Sequence, residues 1–202
     1  MFHVSCFMTI DSQLITKIRA TTGAGMLDVK KALEEAGGDA EKAVTILRQK
    51  GVIKAASKSS RQTTEGLVAS YIHGEGRVGV LVEVNCETDF VARTEAFKEL
   101  TRNIAMQVAA ANPMYLRAED MPETEIAREK ELYRELLLKE GKPENMIEKI
   151  AESKLQKYFS EVCLLNQPFI KDDKKTVEQV VKEAIAVMGE NIQVKRFCRF
   201  AL

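Results

Sequence analysis

A single continuous segment passes from strand spacing to helix spacing, and this transition constrains the fold more than any other feature. Residues 78–84 place Val at every second position, which is the period of a strand with one buried face. The next apolar side chains follow helical spacing and form one stripe: Phe97, Leu100, Ile104, Val108 and Ala111. We therefore expect a helix over residues 94–110 to cover the buried face of the strand.

The corner between this strand and this helix, residues 85–93 (NCETDFVAR), carries a carboxylate beside a large aromatic ring. Regular structure on both sides of a corner can hold such side chains rigidly. In one interpretation, Asp89 caps the helix and Phe90 packs beneath it. In the other, Phe90 protrudes as a wedge for another protein. The local pattern leaves both interpretations open.

The composition limits the class of protein. Of the 202 residues, 45% are hydrophobic and 30% are charged, which is ordinary for a globular chain with room for two domains. No window approaches the roughly 18 uninterrupted apolar residues that a membrane span needs. Residues 1–13 lack the basic region and the long apolar run of a signal peptide, so we expect a cytoplasmic protein without a membrane partner. Met8 is a candidate start, which would make residues 1–7 an extension.

The residues that usually carry metal or catalytic chemistry are sparse. The four cysteines are widely separated and form no CxxC pair: Cys6, Cys86, Cys163 and Cys198. This pattern argues against zinc and against a redox motif, and it fits reduced thiols. His3 and His73 have no ligand partner at helical or hairpin spacing. We therefore expect no metal, no cofactor and no catalytic site.

Residues 67–73 and 78–84 predict a β-hairpin, because both runs are rich in β-branched and aromatic residues and a Gly-rich turn separates them. From Gly74 to Gly79 the chain spells GxGxxG, the pattern of a dinucleotide-binding loop. Such a loop must open a helix, so that phosphates meet free N–H groups at the helix N-terminus. This one runs into a strand, so a small nucleotide-dependent enzyme is a weak alternative, to be tested by a nucleotide-binding titration.

Residues 1–54 predict a three-helix domain, with Asp39 as a good N-cap for the third helix. The apolar positions of the three helices are Leu14, Ile15 and Ile18, then Met26, Val29, Leu33 and Ala36, and then Ala40, Ala43, Val44 and Leu47. Residues 51–62 are expected to lead out of this domain as a linker. The predicted division of the chain is residues 1–54, a linker at 55–66, and a second domain at 67–202.

Five basic residues and no acidic residue lie between Val44 and Thr64: Arg48, Lys50, Lys54, Lys58 and Arg61. Such a run is found in nucleic-acid-binding patches and in solvated linkers. The run contains no aromatic residue, and Ser and Ala fill its gaps, which favours the linker. An RNA-binding or ribosome-associated protein is the alternative, and it predicts salt-dependent retention on nucleic acid.

The second domain is predicted to contain two highly charged helices, residues 124–140 and 144–160, around the turn Gly141-Lys142-Pro143. The second helix has coiled-coil spacing at Ala151, Leu155, Tyr158 and Val162. So short a turn predicts an antiparallel helical hairpin over residues 123–160, much of it standing in solvent as an arm. A scaffold that binds a partner through this hairpin is a third alternative.

The end of the chain returns to strand and helix patterns. Residues 162–165 predict a strand, and residues 167–169 a break. Thr176 to Gln179 match a capping box, which opens a helix that Gly189 closes. Residues 192–200 predict a last strand. Because strands and helices are segregated, we expect an α+β fold with an antiparallel sheet and covering helices.

Four motifs resemble the bacterial elongation factor Ts family: RATTGAGMLDVKKAL at 19–33, VEVNCETDFVAR at 82–93, QPF at 167–169 and GENI at 189–192. Their order and spacing agree with the family from about Met8 onward, and the first two are long and specific. The resemblance implies a guanine-nucleotide exchange factor that binds elongation factor Tu, both GDP-bound and nucleotide-free, and performs no covalent chemistry. It also implies that the three N-terminal helices form a ubiquitin-associated-like domain.

The same resemblance assigns roles to individual residues. Thr88, Asp89, Phe90 and Val91 would dislodge Mg²⁺ beside the nucleotide of the GTPase, so that GDP leaves and GTP can bind. The contact surface of the N-terminal domain would contain Arg19, Met26, Leu27 and Lys30. From the residues alone, Met26 equally fits core packing and Arg19 a solvated helix end, whereas Leu27 lies off the apolar stripe and favours an exposed contact.

Longer family members carry two copies of the core half, whereas this chain has one copy of the hairpin-and-helix unit. The resemblance to the short form implies a homodimer, in which a second subunit supplies the other half. Cys198 could then lie near its counterpart in the partner, although a cytoplasmic location argues against a stable disulfide. We expect no direct contact with nucleic acid.

Overall fold

The computed structural model describes residues 11–202, so the interpretations of His3, Cys6 and Met8 concern residues outside the described part. The chain begins with three helices: α1 (Ser12–Thr22), α2 (Met26–Glu35) and α3 (Ala40–Ala56). They enclose a core of their own, which contains Ile18, Val29, Ala32, Leu33, Ala43 and Leu47. The predicted cap of α3 is confirmed, because the Asp39 carboxylate accepts hydrogen bonds from the N–H groups of Glu41 and Lys42 at 3.0 and 3.1 Å.

Helix α3 is longer than the sequence predicted, so the expectation of a linker from residue 51 is wrong at its start. The helix continues through Gly51 and packs against α8 (Val177–Met188). A Cβ on Gly51 would stand 3.4 Å from the Cβ of Ala186 on α8. The glycine that suggested a linker thus permits a close approach of two helices.

The predicted hairpin is present. β1 (Glu65–His73) and β2 (Val78–Cys86) pair antiparallel, and β5 (Ile192–Ala201) pairs with the other edge of β2, giving the strand order β1-β2-β5. The GxGxxG pattern forms the turn between β1 and β2 and does not open a helix.

Helix α5 (Glu95–Ala111) covers one face of this sheet, as the apolar stripe predicted. The alternating valines Val80, Val82 and Val84 and the α5 side chains Phe97, Leu100, Ile104 and Val108 belong to one buried cluster. Asn112 ends the helix in a left-handed conformation, with φ of 46°, immediately before Pro113. An antiparallel sheet with a helix packed on one face confirms the α+β class.

Two further helices follow, α6 (Glu123–Lys139) and α7 (Glu144–Val162). Near the turn that joins them, Leu137 packs with Ile147 and Ala151, and at their other ends Ile126 packs with Leu155 and Phe159. Ion pairs from Lys130 and Arg134 of α6 to Glu148 of α7 lie between these two apolar clusters.

The segment after α7 differs from the prediction. Residues 162–165 do not form a strand: Cys163 makes only an isolated bridge with Tyr115, and a 3₁₀ turn follows at Leu164–Asn166. Their apolar side chains are divided between two clusters, with Cys163 in the one under α6 and α7 and Leu164 in the main core. Burial in two directions produces a strand-like apolar run without a ladder.

A small second sheet was not predicted. β3 (Pro168–Phe169) pairs with β4 (Asp172–Thr176), whose charged residues give no alternating pattern. The capping box that opens α8 is confirmed by reciprocal hydrogen bonds between Thr176 and Gln179, and Gly189 ends α8 with φ of 81°. Within residues 11–202, no helix is long and apolar enough to span a bilayer.

Candidate functional site

The corner between β2 and α5 contains a short helix that the sequence pattern did not predict. This helix, α4 (Asp89–Ala92), begins after Thr88, whose hydroxyl accepts a hydrogen bond from the Val91 N–H at 3.5 Å. Thr94 caps α5 by accepting from the Phe97 N–H at 3.2 Å. The interpretation of Asp89 as a helix cap is therefore wrong, because threonines cap both helices and Asp89 is the first residue of α4.

Phe90 lies on the outer side of α4, and the residue is 79% exposed. The next residues face inward: Val91 packs against the main core and Ala92 is buried in it. Because α4 is anchored through those two side chains, its neighbouring aromatic ring is directed to solvent. The packing interpretation of Phe90 is wrong, and the ring protrudes as a wedge would require.

Asp89 stays accessible beside this ring. Its carboxylate pairs with the Arg93 guanidinium at 2.8 Å, one turn further along the chain. Both side chains lie on the surface, where such a pair contributes only about 0.3–0.5 kcal/mol. The carboxylate can therefore exchange Arg93 for a polar group of another protein at little cost.

The loop before α4 is held by a carboxylate from the far end of the chain. Glu190, between α8 and β5, accepts hydrogen bonds from the N–H groups of Glu87 and Thr88 at 3.1 and 3.0 Å. It also accepts from the Thr88 hydroxyl at 2.6 Å. Bonds to a charged acceptor are short and strong, so these three fix the direction of the backbone as it enters α4.

A second set of hydrogen bonds joins the same two segments with the roles exchanged, because here the corner supplies the carboxylate and the segment after α8 supplies the N–H group. The Glu87 carboxylate accepts from the Asn191 N–H at 2.6 Å and lies 3.4 Å from the Arg61 guanidinium. The buried Asn191 side chain donates to the carbonyl oxygens of Ser59 and Arg61 at 3.3 and 2.8 Å. The corner is thereby tied both to β5 and to the segment that follows α3.

The sequence did not predict this network, because its partners are distant along the chain. Thr88 and Glu190, for example, are 102 positions apart. The GENI motif at residues 189–192 was the one available signal, since it contains both Glu190 and Asn191. Nothing in the motif alone indicates which part of the fold it contacts.

Cys86 ends β2 beneath the corner and is buried. Its thiol donates to the Thr88 carbonyl oxygen at 3.2 Å. Burial, with a further contribution from the Glu190 charge, raises the pKa of Cys86 to about 11. The thiol therefore stays protonated near neutral pH and acts as a core side chain, not as a nucleophile.

The predicted contact residues of the N-terminal domain lie on α1 and α2. Met26 is 61% exposed and Leu27 is 74% exposed, so the core-packing interpretation of Met26 is wrong. Val29 and Leu33 already fill the inner face of α2, which leaves the first turn of the helix outside the core. Arg19 and Lys30 are exposed as well. These four residues belong to the three-helix part of the chain, and residues 88–91 to the part built on the sheet.

Only the end of the basic run from Arg48 to Arg61 lies in a linker, because Arg48, Lys50 and Lys54 are on α3 and Lys58 and Arg61 follow it. Each of its side chains has a partner: Arg48 with Glu183, Lys50 with Glu35, Lys54 with Asp28, Lys58 with the Gly189 carbonyl oxygen, and Arg61 with Glu87. These contacts connect α3 with α2, with α8 and with the corner. The positive charge of the run is thus largely matched within the chain.

The described part of the chain contains no group of three His, Cys, Asp or Glu side chains placed to hold a metal ion. The distinctive feature beside the sheet is instead the corner, where an exposed aromatic ring stands on a backbone held by charged hydrogen bonds.

Comparison with known proteins identifies the family. The family model described as "Elongation factor TS" matches residues 10–202. Elongation factor Ts of Carboxydothermus hydrogenoformans is 58% identical over 193 residues, which cover 96% of this chain and 89% of that protein. The factors of Thermosipho melanesiensis and Thermotoga petrophila are each 56% identical, again over 96% of this chain and over 98% and 97% of their own length. This chain therefore belongs to the elongation factor Ts family.

Proposed function

We propose that this chain is a guanine-nucleotide exchange factor for elongation factor Tu. It binds the GDP-bound GTPase, displaces Mg²⁺, promotes the release of GDP and remains on the nucleotide-free form until GTP binds, during translation elongation in the cytoplasm. Membership of the family supports the partner. The observation that carries the proposal is the ring of Phe90, 79% exposed on a firmly held turn.

The four residues from Thr88 to Val91 have two different roles. Thr88 caps α4 and Val91 anchors it in the core, so these two hold the turn. Phe90 and Asp89 are the groups presented to the partner. A phenyl ring has no atom that can ligate a metal, so Phe90 acts sterically, displacing the elements of the GTPase that support its Mg²⁺. Asp89 forms hydrogen bonds with polar groups beside the wedge.

Loss of Mg²⁺ explains why GDP would leave. The cation neutralises the phosphates, and without it a strongly charged ligand is poorly compensated. The coupling is reciprocal: if the factor weakens GDP binding by some ratio, GDP weakens binding of the factor by the same ratio. Such catalysis of dissociation requires no nucleophile, no proton transfer and no cofactor of the chain's own.

A second contact is proposed for the N-terminal domain, which we take to be ubiquitin-associated-like. Met26 and Leu27 present apolar side chains at the start of α2, and Arg19 and Lys30 add charge near them in the sequence. Exposed apolar side chains of this kind favour a protein partner. This surface would supply affinity, and the corner would supply the displacement of Mg²⁺.

For α6 and α7 we propose an antiparallel coiled-coil hairpin inserted in the second domain, over residues 123–160. Its support is the pair of apolar clusters along the two helices, with ion pairs between them. We retain the division into residues 1–54, 55–66 and 67–202, although contacts of α3 with α8 show that the first part is packed on the last.

We further propose a homodimer, in which the second subunit covers the face of the sheet opposite α5. Four apolar residues on this face are exposed: Val68, Ile72, Leu81 and Phe200. Cys198, which is also exposed, pairs in register with Leu81 on the same face, and we expect its thiol to stay reduced. Sedimentation at micromolar concentration should show a dimer, and a monomer alone would contradict the proposal.

The exchange function is tested by the release of a fluorescent GDP analogue from elongation factor Tu. Adding this chain should accelerate release, and the acceleration should saturate with its concentration. A release rate that does not change at any concentration of the chain would overturn the proposed function.

A further inference from the structure

We propose that Glu190 is a positioning residue, which fixes the loop before α4 so that Phe90 meets the GTPase in one orientation. This inference rests on the proposed exchange function and deepens it. Glu190 itself is not proposed to touch the partner. It acts through Thr88 and the first turn of α4.

The chain of contacts from Glu190 to the ring is continuous. One carboxylate oxygen accepts from the N–H groups of Glu87 and Thr88, and the other accepts from the Thr88 hydroxyl at 2.6 Å. With its proton directed to Glu190, that hydroxyl offers its lone pair to the Val91 N–H. Glu190 therefore orients the group that caps α4, and Phe90 lies within that capped turn.

Phe90 needs such support because its own side chain supplies none. Phe90 is 79% exposed and does not belong to the main buried cluster. A helix of four residues is also too short to be stable by itself, since nucleation costs more than so few hydrogen bonds return. The orientation of the ring must then come from the backbone before and after it.

Glu190 is well placed to give that support, because its own position is fixed on both sides. Gly189 ends α8 in a left-handed conformation, and its carbonyl oxygen accepts from Lys58. Asn191 is buried, with its side chain bonded to two carbonyl oxygens after α3, and Ile192 pairs with Cys86 in the sheet. The carboxylate thus stands on a rigid support.

A positioning role predicts a particular kinetic effect. If Glu190 orients the wedge, its loss should lower the maximum rate of GDP release more than it weakens binding, because the N-terminal contacts remain. A loop left free must be ordered each time the transition state forms, and that ordering slows the displacement of Mg²⁺. A role only in stability would instead reduce the amount of folded factor.

The first test is amide hydrogen exchange of the full chain, comparing wild type with Glu190→Ala. The Val91 and Arg93 amides report on α4, because their acceptors are Thr88 and Asp89 and not Glu190. We expect both to lose about tenfold in protection or more, while α5 amides keep theirs. Glu178→Gln is the matched control. Glu178 is a glutamate of α8, the helix just before Glu190, and its ion pair with Lys182 lies on the surface. Unchanged protection of Val91 and Arg93 in Glu190→Ala would overturn the proposal.

The second test is release of the fluorescent GDP analogue from elongation factor Tu. At saturating concentration we expect Glu190→Ala to slow release about tenfold, the size expected when half-buried donors lose a charged acceptor, with the half-saturating concentration changed by less than about threefold. In a Phe90→Ala background the same change should add almost nothing, because both act through the ring. Full additivity of the two effects would contradict a role through Phe90.

Glu190→Gln keeps the test valid if the alanine variant does not fold. The amide oxygen can still accept from the two N–H groups, but the amide nitrogen cannot accept from the Thr88 hydroxyl. We therefore expect an intermediate loss of Val91 protection and of release rate, and wild-type values for both would overturn the proposal. If the wild-type chain does not accelerate GDP release, the proposed exchange function is wrong. The amide protection of Val91 in these variants still tests whether Glu190 holds α4.

Discussion

Phe90 lies on the short helix α4 and Phe97 on the longer helix α5 that follows it, yet one residue is exposed and the other is buried. Phe97 is completely buried between α5 and the sheet, whereas Phe90 is 79% exposed. Each helix begins with a threonine cap, so local capping does not distinguish them. The difference is that Phe97 belongs to a helical stripe that covers strand β2, and Phe90 stands outside every such stripe. An apolar side chain that the fold leaves outside is available for a partner.

The largest expected effect in this comparison is on stability. Phe97→Ala should lower the free energy of unfolding by about 3–5 kcal/mol, because it removes a fully buried ring from the main core. Phe90→Ala should change it by less than about 0.5 kcal/mol, as is usual for exposed positions. Denaturant unfolding of both variants measures the two values. Equal destabilisation would show that Phe90 packs against the core after all.

A smaller effect separates the two threonine caps. Thr88→Ala and Thr94→Ala should each cost about 1 kcal/mol of stability, because each removes a side-chain acceptor at a helix N-terminus. Only Thr88→Ala also removes a hydrogen bond to Glu190, the one from the Thr88 hydroxyl, so it should slow GDP release more than Thr94→Ala does. Unfolding and release are measured on the same preparations. A slower release with Thr94→Ala than with Thr88→Ala would place the sensitive element in α5 instead of α4.

The smallest effect concerns pH and lies far from the corner. Hydrogen bonding to the N–H of Lys42 holds the pKa of Asp39, the α3 cap, below its usual value of 3.8. A carboxyl with a depressed pKa stabilises the fold above its unfolded pKa and loses that contribution as pH falls through the folded pKa. Asp39→Asn keeps a capping oxygen that does not titrate. Melting temperatures should therefore fall more for wild type than for Asp39→Asn as pH drops from about 5 to about 3.

If the difference between the two melting temperatures stayed constant over that pH range, the charge of Asp39 would not contribute to stability. GDP release should be the same for both proteins at neutral pH, because the cap of α3 is not part of the corner. A difference in release would indicate that the N-terminal domain and the corner are coupled more tightly than their contacts suggest.

The sequence predicted those parts of the fold whose signals are local. The alternation of valines in β2, the stripe of α5, and the caps Asp39 and Thr176 each report on residues within one or two turns of themselves. Longer elements with a regular period were therefore recognised, including α6, α7, α8 and β5. The α+β class followed from their order.

The features that were missed depend on packing between distant segments. In the sequence Gly51 suggests a linker, but in the structure its lack of a side chain permits the close contact of α3 with α8. The apolar run at residues 162–165 reads as a strand, but its side chains enter two different clusters. Helix α4 is too short to show a period, and the support of the corner by Glu190 joins residues that no local pattern relates.

The candidate site was predicted in part. The motif resemblance selected residues 88–91, and the structure shows that they form one capped turn, but neither the exposure of Phe90 nor the capping role of Thr88 was fixed by the pattern. One of the two interpretations made Asp89 the cap, but it is the accessible partner of Arg93. Side-chain direction at such a corner depends on which neighbours are drawn into the core.

The most direct test of Phe90 as a wedge is the release of a fluorescent GDP analogue from elongation factor Tu at a saturating concentration of this chain, comparing wild type with Phe90→Ala. A wedge role for Phe90 predicts that release slows about tenfold or more, which corresponds to about 1.4 kcal/mol in the transition state, while the unfolding curve stays unchanged. Release at the wild-type rate from a folded Phe90→Ala chain would contradict it.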